Sequence, residues 1–259
     1  MNRVSYVDLH CHLLPDLDDG AASIEETVQH ARRLEAEGVR DVACTPHIKR
    51  EYFPHVVAGE LAARRDAAQA AIADAGLRVR LHPGGELAHP DALALDPADL
   101  AHIAQGPSDA RWLLLECPFR GVGDDFLAAA ERLEGLGYGL LLAHPERSDG
   151  LHDEGLARLR PLLERGALLQ VNVCSLLGNH GLVVQEAATR LVRGGWAYCL
   201  ASDGHPGTRE HTLQLGFHLL LRAGASSTQA YRLTQSNPRF LLTHGTRRLV
   251  EPIPERLAA

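Results

Sequence analysis

The sequence predicts an α/β protein, a distorted (β/α)7 barrel, on three observations. Short apolar runs alternate with amphipathic helical stretches. The runs are apolar on both faces, as strands of a parallel sheet covered on both sides must be. The strand–helix unit recurs seven times, one short of the eight-fold form. A doubly wound open sheet is the alternative, weakened because no G-x-G-x-x-G follows the first strand. At 259 residues the chain suits one domain, residues 1–259, and its 45% hydrophobic content allows a full core.

The predicted strands are, in order, "VSYVDLH", "RDVACTP", "VRLHPGGE", "RWLLLECP", "YGLLLAHP", "LLQVNV" and "WAYCLASD". The first helix, "SIEETVQHARRLEAEG", has Ser23 as N-cap, Glu26 at the capping-box position and Gly38 as its stop. Further helices are "HVVAGELAARRDAAQAAIADAG", "DDFLAAAERLEGLG", "GLARLRPLLERG" and "LVVQEAATRLVRGG", and "TLQLGFHLLLRAG" with "STQAYRLTQSNPRFLL" closes the chain. The stretch "HPDALALDPADLAHIAQG" lacks a clean period and reads as an excursion near the strand ends.

A net charge of −7 argues against non-specific nucleic-acid binding. Five cysteines, odd in number and without a C-x-x-C pair, suit free thiols in a reducing cytosol. The N-terminus lacks the apolar run of a signal peptide and no segment approaches a membrane span. A soluble, cytoplasmic protein is expected; oligomeric state is not expressed in the pattern.

Ionisable residues recur where apolar strands end: His10 and His12, His47, Glu86, Glu116, His144, then Asp203 and His205. Such groups are costly to bury without partners. In a barrel they converge on one mouth, where they would repel or strand one another without cations between them. The economical reading is a multinuclear metal site. In H-x-H on a strand, residues i and i+2 face one side, so His10 and His12 can share an ion while Cys11 points away. The remaining histidines, His30, His152 and His180 among them, read as surface or packing residues.

The order "DLHCH", "DDG", "TPH", "GGE", "LLLECPF", "AHPER", "SDGH" resembles the PHP (polymerase and histidinol phosphatase) superfamily. It is most similar to the bacterial metal-dependent protein-tyrosine phosphatases encoded with capsule and exopolysaccharide genes, over residues 6 to 245. That resemblance implies a TIM-like, distorted (β/α)7 barrel of PHP type holding three divalent metal ions. The first ion would take His10, His12, Glu86 and Asp203; the second Asp19, His47 and His205; the third Glu86, Glu116 and His144. Asp19 is chosen over Asp18 because the family's ligand directly precedes the glycine, and Asp16 is left as a solvated turn residue. Arg147 in "HPER" matches one phosphate-clamping arginine. Arg209 matches the second if one residue is deleted from "SDGHPGTR".

Imidazole and carboxylate ligands suit manganese, iron, zinc or cobalt, and the resemblance favours manganese. The implied reaction is phosphomonoester hydrolysis by a metal-bridged hydroxide, with no phosphoenzyme. The implied substrate is a phosphotyrosine protein, a cytoplasmic bacterial tyrosine kinase controlling polysaccharide export. The alternative is a small phosphomonoester such as histidinol phosphate. The sixth strand carries no ligand, and Asn172 reads as a strand-end hydrogen bond.

The string "CTPHIKR" satisfies C-x5-R, the signature of cysteine-based tyrosine phosphatases. Here Pro46 removes an amide donor and Glu51 would repel phosphate, so that reading is set aside. A carbamylated-lysine barrel is disfavoured because the sole lysine, Lys49, follows His47 in a loop.

Overall fold

A computed structural model describes residues 5–151 and 155–246. His152, and Val4 at the start of the first predicted strand, lie outside the described residues.

The strands are β1 (Tyr6–Cys11), β2 (Val39–Cys44), β3 (His47–Ile48), β4 (Arg80–His82), β5 (Glu86–Ala88), β6 (Trp112–Glu116), β7 (Gly139–Ala143), β8 (Leu168–Asn172) and β9 (Ala197–Ala201). They form two parallel sheets, ordered β1-β2-β4 and β3-β5-β6-β7-β8-β9. Among the described residues, the seven predicted strands appear as nine because the second and third are each broken near a proline, Pro46 and Pro83, which cannot donate to a ladder. Beyond the breaks β3 and β5 pair with each other, His47 opposite Glu86, and join the second sheet. Gly84 permits the break: a Cβ there would lie 2.9 Å from the Cys44 carbonyl oxygen.

The chain after β9 returns to β1. The Asp203 amide donates to the His10 carbonyl at 2.9 Å, and the His12 amide to the Gly204 carbonyl at 2.8 Å. Val7 and Leu9 of β1 pack with Trp112, Leu114, Leu141, Ala143 and Cys199, an apolar cluster shared by the two sheets. A larger cluster packs the outer strand faces against the helices.

The helix Ile24–Ala36 starts as expected: Ser23 Oγ accepts from the Glu26 amide at 3.3 Å. Glu26 reaches one residue further back than a capping box requires, accepting from the Ala22 amide at 2.8 Å. The excursion expected at 89–106 is instead largely helical, His89–Ala94 then Pro97–Ile103. Each has proline in its first turn, and each is too short for a 3.6-residue period to emerge. The final predicted helix is divided into Ser227–Tyr231, a π-helical turn Arg232–Ser236, and Asn237–His244. Among the described residues, no helix is long and apolar enough to cross a membrane.

Candidate metal centre

The strand ends bring the sequence-flagged residues to one place. His10 is the last but one residue of β1 and His12 follows that strand, His47 opens β3, Glu86 opens β5, Glu116 ends β6, His144 follows β7, and Asp203 and His205 follow β9. His144 and Asp203 adopt left-handed backbone, φ 34° and 49°. Non-glycine residues pay about 1 kcal/mol or more for this, and such strain concentrates at functional sites. Asp19 is delivered by the turn after His12, closed by hydrogen bonds of Asp16 N to Ala21 O (2.9 Å) and Ala21 N to His12 O (3.2 Å). The turn demands Gly20, because a Cβ there would lie 2.2 Å from the His12 carbonyl oxygen.

Among the described residues, three groups have ligand atoms close enough to share an ion: His12, Asp19, His47 and His205; His10, His12 and Glu86; and Glu86, Glu116 and His144. The last coincides with the expected third set. Glu86 belongs to two groups, as expected of a bridging carboxylate, and so does His12, which the sequence reading gave to one ion. Asp203 Oδ1 stands 3.6 Å from His10 Nε2 and 3.5 Å from His12 Nε2.

Glu86, 1% exposed, is ringed by imidazoles. Its Oε2 lies 3.4 Å from His10 Nε2, 3.4 Å from His12 Nε2 and 2.9 Å from His47 Nδ1, and its Oε1 lies 2.7 Å from His144 Nε2. Burial opposes the carboxylate charge, but His10 and His47 hold Glu86 well below the usual range. Burial likewise depresses His12 and His47, yet Asp18 lifts His12 to about 9 and Glu86 lifts His47 to about 11. Without an ion, protons on imidazole must balance the carboxylates.

The residues fit divalent ions on two counts. Glu86 Oε2, His47 Nδ1 and His144 Nδ1 are buried without a partner in hydrogen-bond geometry, which is costly for polar atoms meant to stay so. Three imidazoles are also oriented from behind. His10 Nδ1 meets Gln170 Oε1 at 3.0 Å, His12 Nδ1 meets Asp18 Oδ2 at 2.7 Å, and His205 Nδ1 meets the Asp203 carbonyl at 3.0 Å. Each presents Nε2 inward, the usual arrangement behind metal-binding histidines.

Asp18, Gln170 and Asn172 were not flagged as site residues. Asp18 is a support for His12 and also accepts from the His47 amide at 2.8 Å. The signal for the other two was present: Gln170 and Asn172 are polar at i and i+2 in an otherwise apolar strand. The Asn172 backbone N–H donates to Glu146 Oε1 at 2.9 Å, but its side chain, expected to make only a strand-end hydrogen bond, donates to Asp203 Oδ2 at 2.7 Å.

Both arginines reach the same centre. Arg147 donates to Asp203 Oδ2 at 3.3 Å and Arg209 to Asp203 Oδ1 at 3.1 Å. They line a cavity of about 230 Å³ with Glu86, Glu116, Lys49 and Phe119. Lys49 Nζ lies 3.1 Å from Glu116 Oε2, and the Arg147 guanidinium sits 4.5 Å over the Phe119 ring. The C-x5-R string does not form such a site. Cys44 is 1% exposed with its thiol pushed up to about 12 by burial, and Arg50 turns to Asp91 and Asp99.

Fold and site together define a class: an α/β protein with a histidine–carboxylate metal centre flanked by arginines. The chain belongs to the capsular polysaccharide synthesis family CpsB/CapC, whose model matches residues 6–243. The tyrosine-protein phosphatase YwqE of Bacillus subtilis is 29% identical over 256 residues, 96% of this chain and 97% of its own. The tyrosine-protein phosphatase CpsB of Streptococcus pneumoniae is 23% identical over 247 residues, 91% of this chain and 98% of its own. A crystal structure from the study of those two metal-dependent tyrosine phosphatases superimposes with a TM-score of 0.74 at 27% identity, covering 91% of this chain and 94% of the other. The phosphotriesterase homology protein of Escherichia coli shares the fold more distantly, with a TM-score of 0.56 at 14% identity over 92% of this chain and 98% of the other.

Proposed function

We propose that the chain is a metal-dependent protein-tyrosine phosphatase hydrolysing phosphotyrosine directly. The observation that carries this reading is the cavity, which joins the ligand groups to two arginines and an aromatic rim, Phe119 being 43% and Tyr52 62% exposed. Bound divalent ions, three by the ligand groups and manganese by family resemblance, would activate water and offset charge on the phosphoryl oxygens. Arg147 and Arg209 donate to the phosphoryl oxygens that gain charge, and Asp203, held by both guanidinium groups, sets their separation. Phe119 offers an apolar face to a tyrosine ring. The burial of all five cysteines speaks against a thiol nucleophile, and so against a phosphocysteine intermediate.

The same reading includes one domain built as a distorted (β/α)7 barrel, supported by the hydrogen bonds that tie β9 to β1 and by the apolar cluster the sheets share. It includes a cytoplasmic setting, supported by the free thiols, and a phosphorylated tyrosine kinase as substrate, supported by the family's link to capsule synthesis. The test is metal analysis of the purified protein, then hydrolysis of phosphotyrosine peptide, histidinol phosphate and single-stranded DNA. Preference for the peptide is expected; preference for either other substrate overturns the assignment.

A further inference from the structure

Strand β8 carries no candidate ligand, yet it connects two residues that the metal reading needs. Gln170 and Asn172 of β8 are both fully buried. Gln170 Oε1 lies 3.0 Å from His10 Nδ1, Gln170 Nε2 donates to Asn172 Oδ1 at 2.6 Å, and Asn172 Nδ2 donates to Asp203 Oδ2 at 2.7 Å. The chain of bonds runs unbroken from a β1 histidine to the aspartate after β9.

Its polarity is forced from one end. Asp203 takes hydrogen bonds from Arg147 and Arg209, so it is a carboxylate and can only accept. Asn172 must therefore turn its amide nitrogen towards Asp203, which leaves its oxygen facing Gln170. Gln170 must answer with its own nitrogen, so its oxygen faces His10. An amide oxygen only accepts, and His10 Nδ1 has to carry a proton. The ring is then fixed with Nε2 facing Glu86 and His12 as the one nitrogen left for a cation.

We propose that Gln170 and Asn172 form a positioning relay that holds His10 as its Nδ1–H tautomer and so commits Nε2 to a divalent cation. The inference rests on the metal-centre reading above. Its chemistry is tautomer selection by two neutral amides, anchored on a carboxylate that is itself a candidate ligand.

Two substitutions separate this role from packing. Gln170→Leu keeps the volume and removes the acceptor for His10. Gln170→Glu keeps an acceptor for His10, gives up the donor to Asn172 and adds a charge. Cobalt(II) is titrated into the metal-stripped protein and followed by visible absorption. Loss of such an outer partner weakens metal binding about 10–100-fold. That loss is expected in Gln170→Leu for the ion bound through His10, with Gln170→Glu recovering most of the affinity. A packing role predicts the reverse order, with the apolar variant tolerated and the buried charge harmful.

Nitrogen NMR of the zinc-loaded unsubstituted protein provides a check that needs no variant to fold. His10 is expected as Nδ1–H with Nε2 ligated; ligation through Nδ1 overturns the relay. If unsubstituted protein takes up no cobalt, the metal-centre reading falls first. If it does and Gln170→Leu binds as tightly, the relay alone falls.

Discussion

Two buried carboxylates, Asp41 of the first sheet and Glu86 of the second, have opposite kinds of company. Asp41 of β2, 2% exposed, is met by Arg80 at 2.8 and 3.0 Å, by Arg239 at 3.0 Å and by His82 at 2.9 Å. Both its oxygens are used, and its main partners carry permanent charge. Burial works against it, but His82 and Arg80 hold its pKa below the usual carboxylate range. Among the described residues, no guanidinium pairs with Glu86. Its partners are imidazoles, which are positive only while they hold a proton, and its Oε2 lacks a well-formed hydrogen bond. Between these two carboxylates, the type of partner separates a structural ion cluster from a site that exchanges protons for metal; Asp203, a candidate ligand that also takes two guanidinium groups, belongs to the cavity with Glu86.

The largest expected effect tests the Glu86 side of this contrast. Glu86→Ala should abolish phosphatase activity and remove about two ions per chain, because Glu86 joins two ligand groups, whereas His10→Ala should remove about one. Metal analysis after gel filtration reads the difference; equal losses would break the bridge.

The strand ends that make up the Glu86 side were legible in the sequence because a histidine or acid closing an apolar run is anomalous without tertiary context. The Asp41 cluster was not. Its members come from β2, β4 and the helix Asn237–His244, and an arginine on a surface helix gives no local sign of its partner. The same limit hid Asp18, whose role depends on the turn folding back under His12, and the left-handed backbone at His144 and Asp203. The two strand breaks escaped because "TPH" and "HPGGE" read as strand termini, and only the second sheet shows that pairing resumes beyond them. The short helices at His89–Ala94 and Pro97–Ile103 did carry a local mark, proline in the first turn, which outweighs the missing period.

The second effect is proton competition. His12 and His47 have raised pKa values, about 9 and about 11, so both are protonated at neutral pH in the metal-free protein. Metal can bind only as those protons leave, so apparent affinity should rise at least tenfold per pH unit between pH 6 and 8. Calorimetry in buffers of different ionisation enthalpy should count more than one proton released. The stability these raised values give the metal-free fold is complete below about pH 6.5, the unfolded histidine value, and is lost as pH rises through about 9 to 11. The metal-loaded protein should lack that alkaline loss, and an identical alkaline transition in both forms would contradict the exchange.

Asp41→Ala is the third test. It leaves Arg80, Arg239 and His82 facing a void, for a loss of about 2 kcal/mol. Chemical denaturation should show the loss while metal content and activity per folded molecule stay unchanged. The sign with pH is opposite to that of His12 and His47. A depressed carboxylate stabilises above about pH 4, the unfolded value, and its contribution disappears as acid protonates the folded group. The variant should therefore be closest to the parent in strong acid.

The smallest effect is expected from Arg80→Lys. The Arg80 side chain is 66% exposed, so solvent screens much of its attraction to Asp41, and Arg239 and His82 remain in place. Lysine keeps the charge and gives up the two-pronged geometry, which at such a site costs less than about 1 kcal/mol. The same change at Arg147 conserves charge just as well, but its side chain is only 18% exposed and lines the cavity beside Asp203. There the lost geometry should appear as a fall in kcat with little change in denaturation midpoint. If both substitutions instead moved stability and spared kcat, the two clusters would be of one structural kind, and the contrast between Asp41 and Glu86 would not mark the catalytic centre.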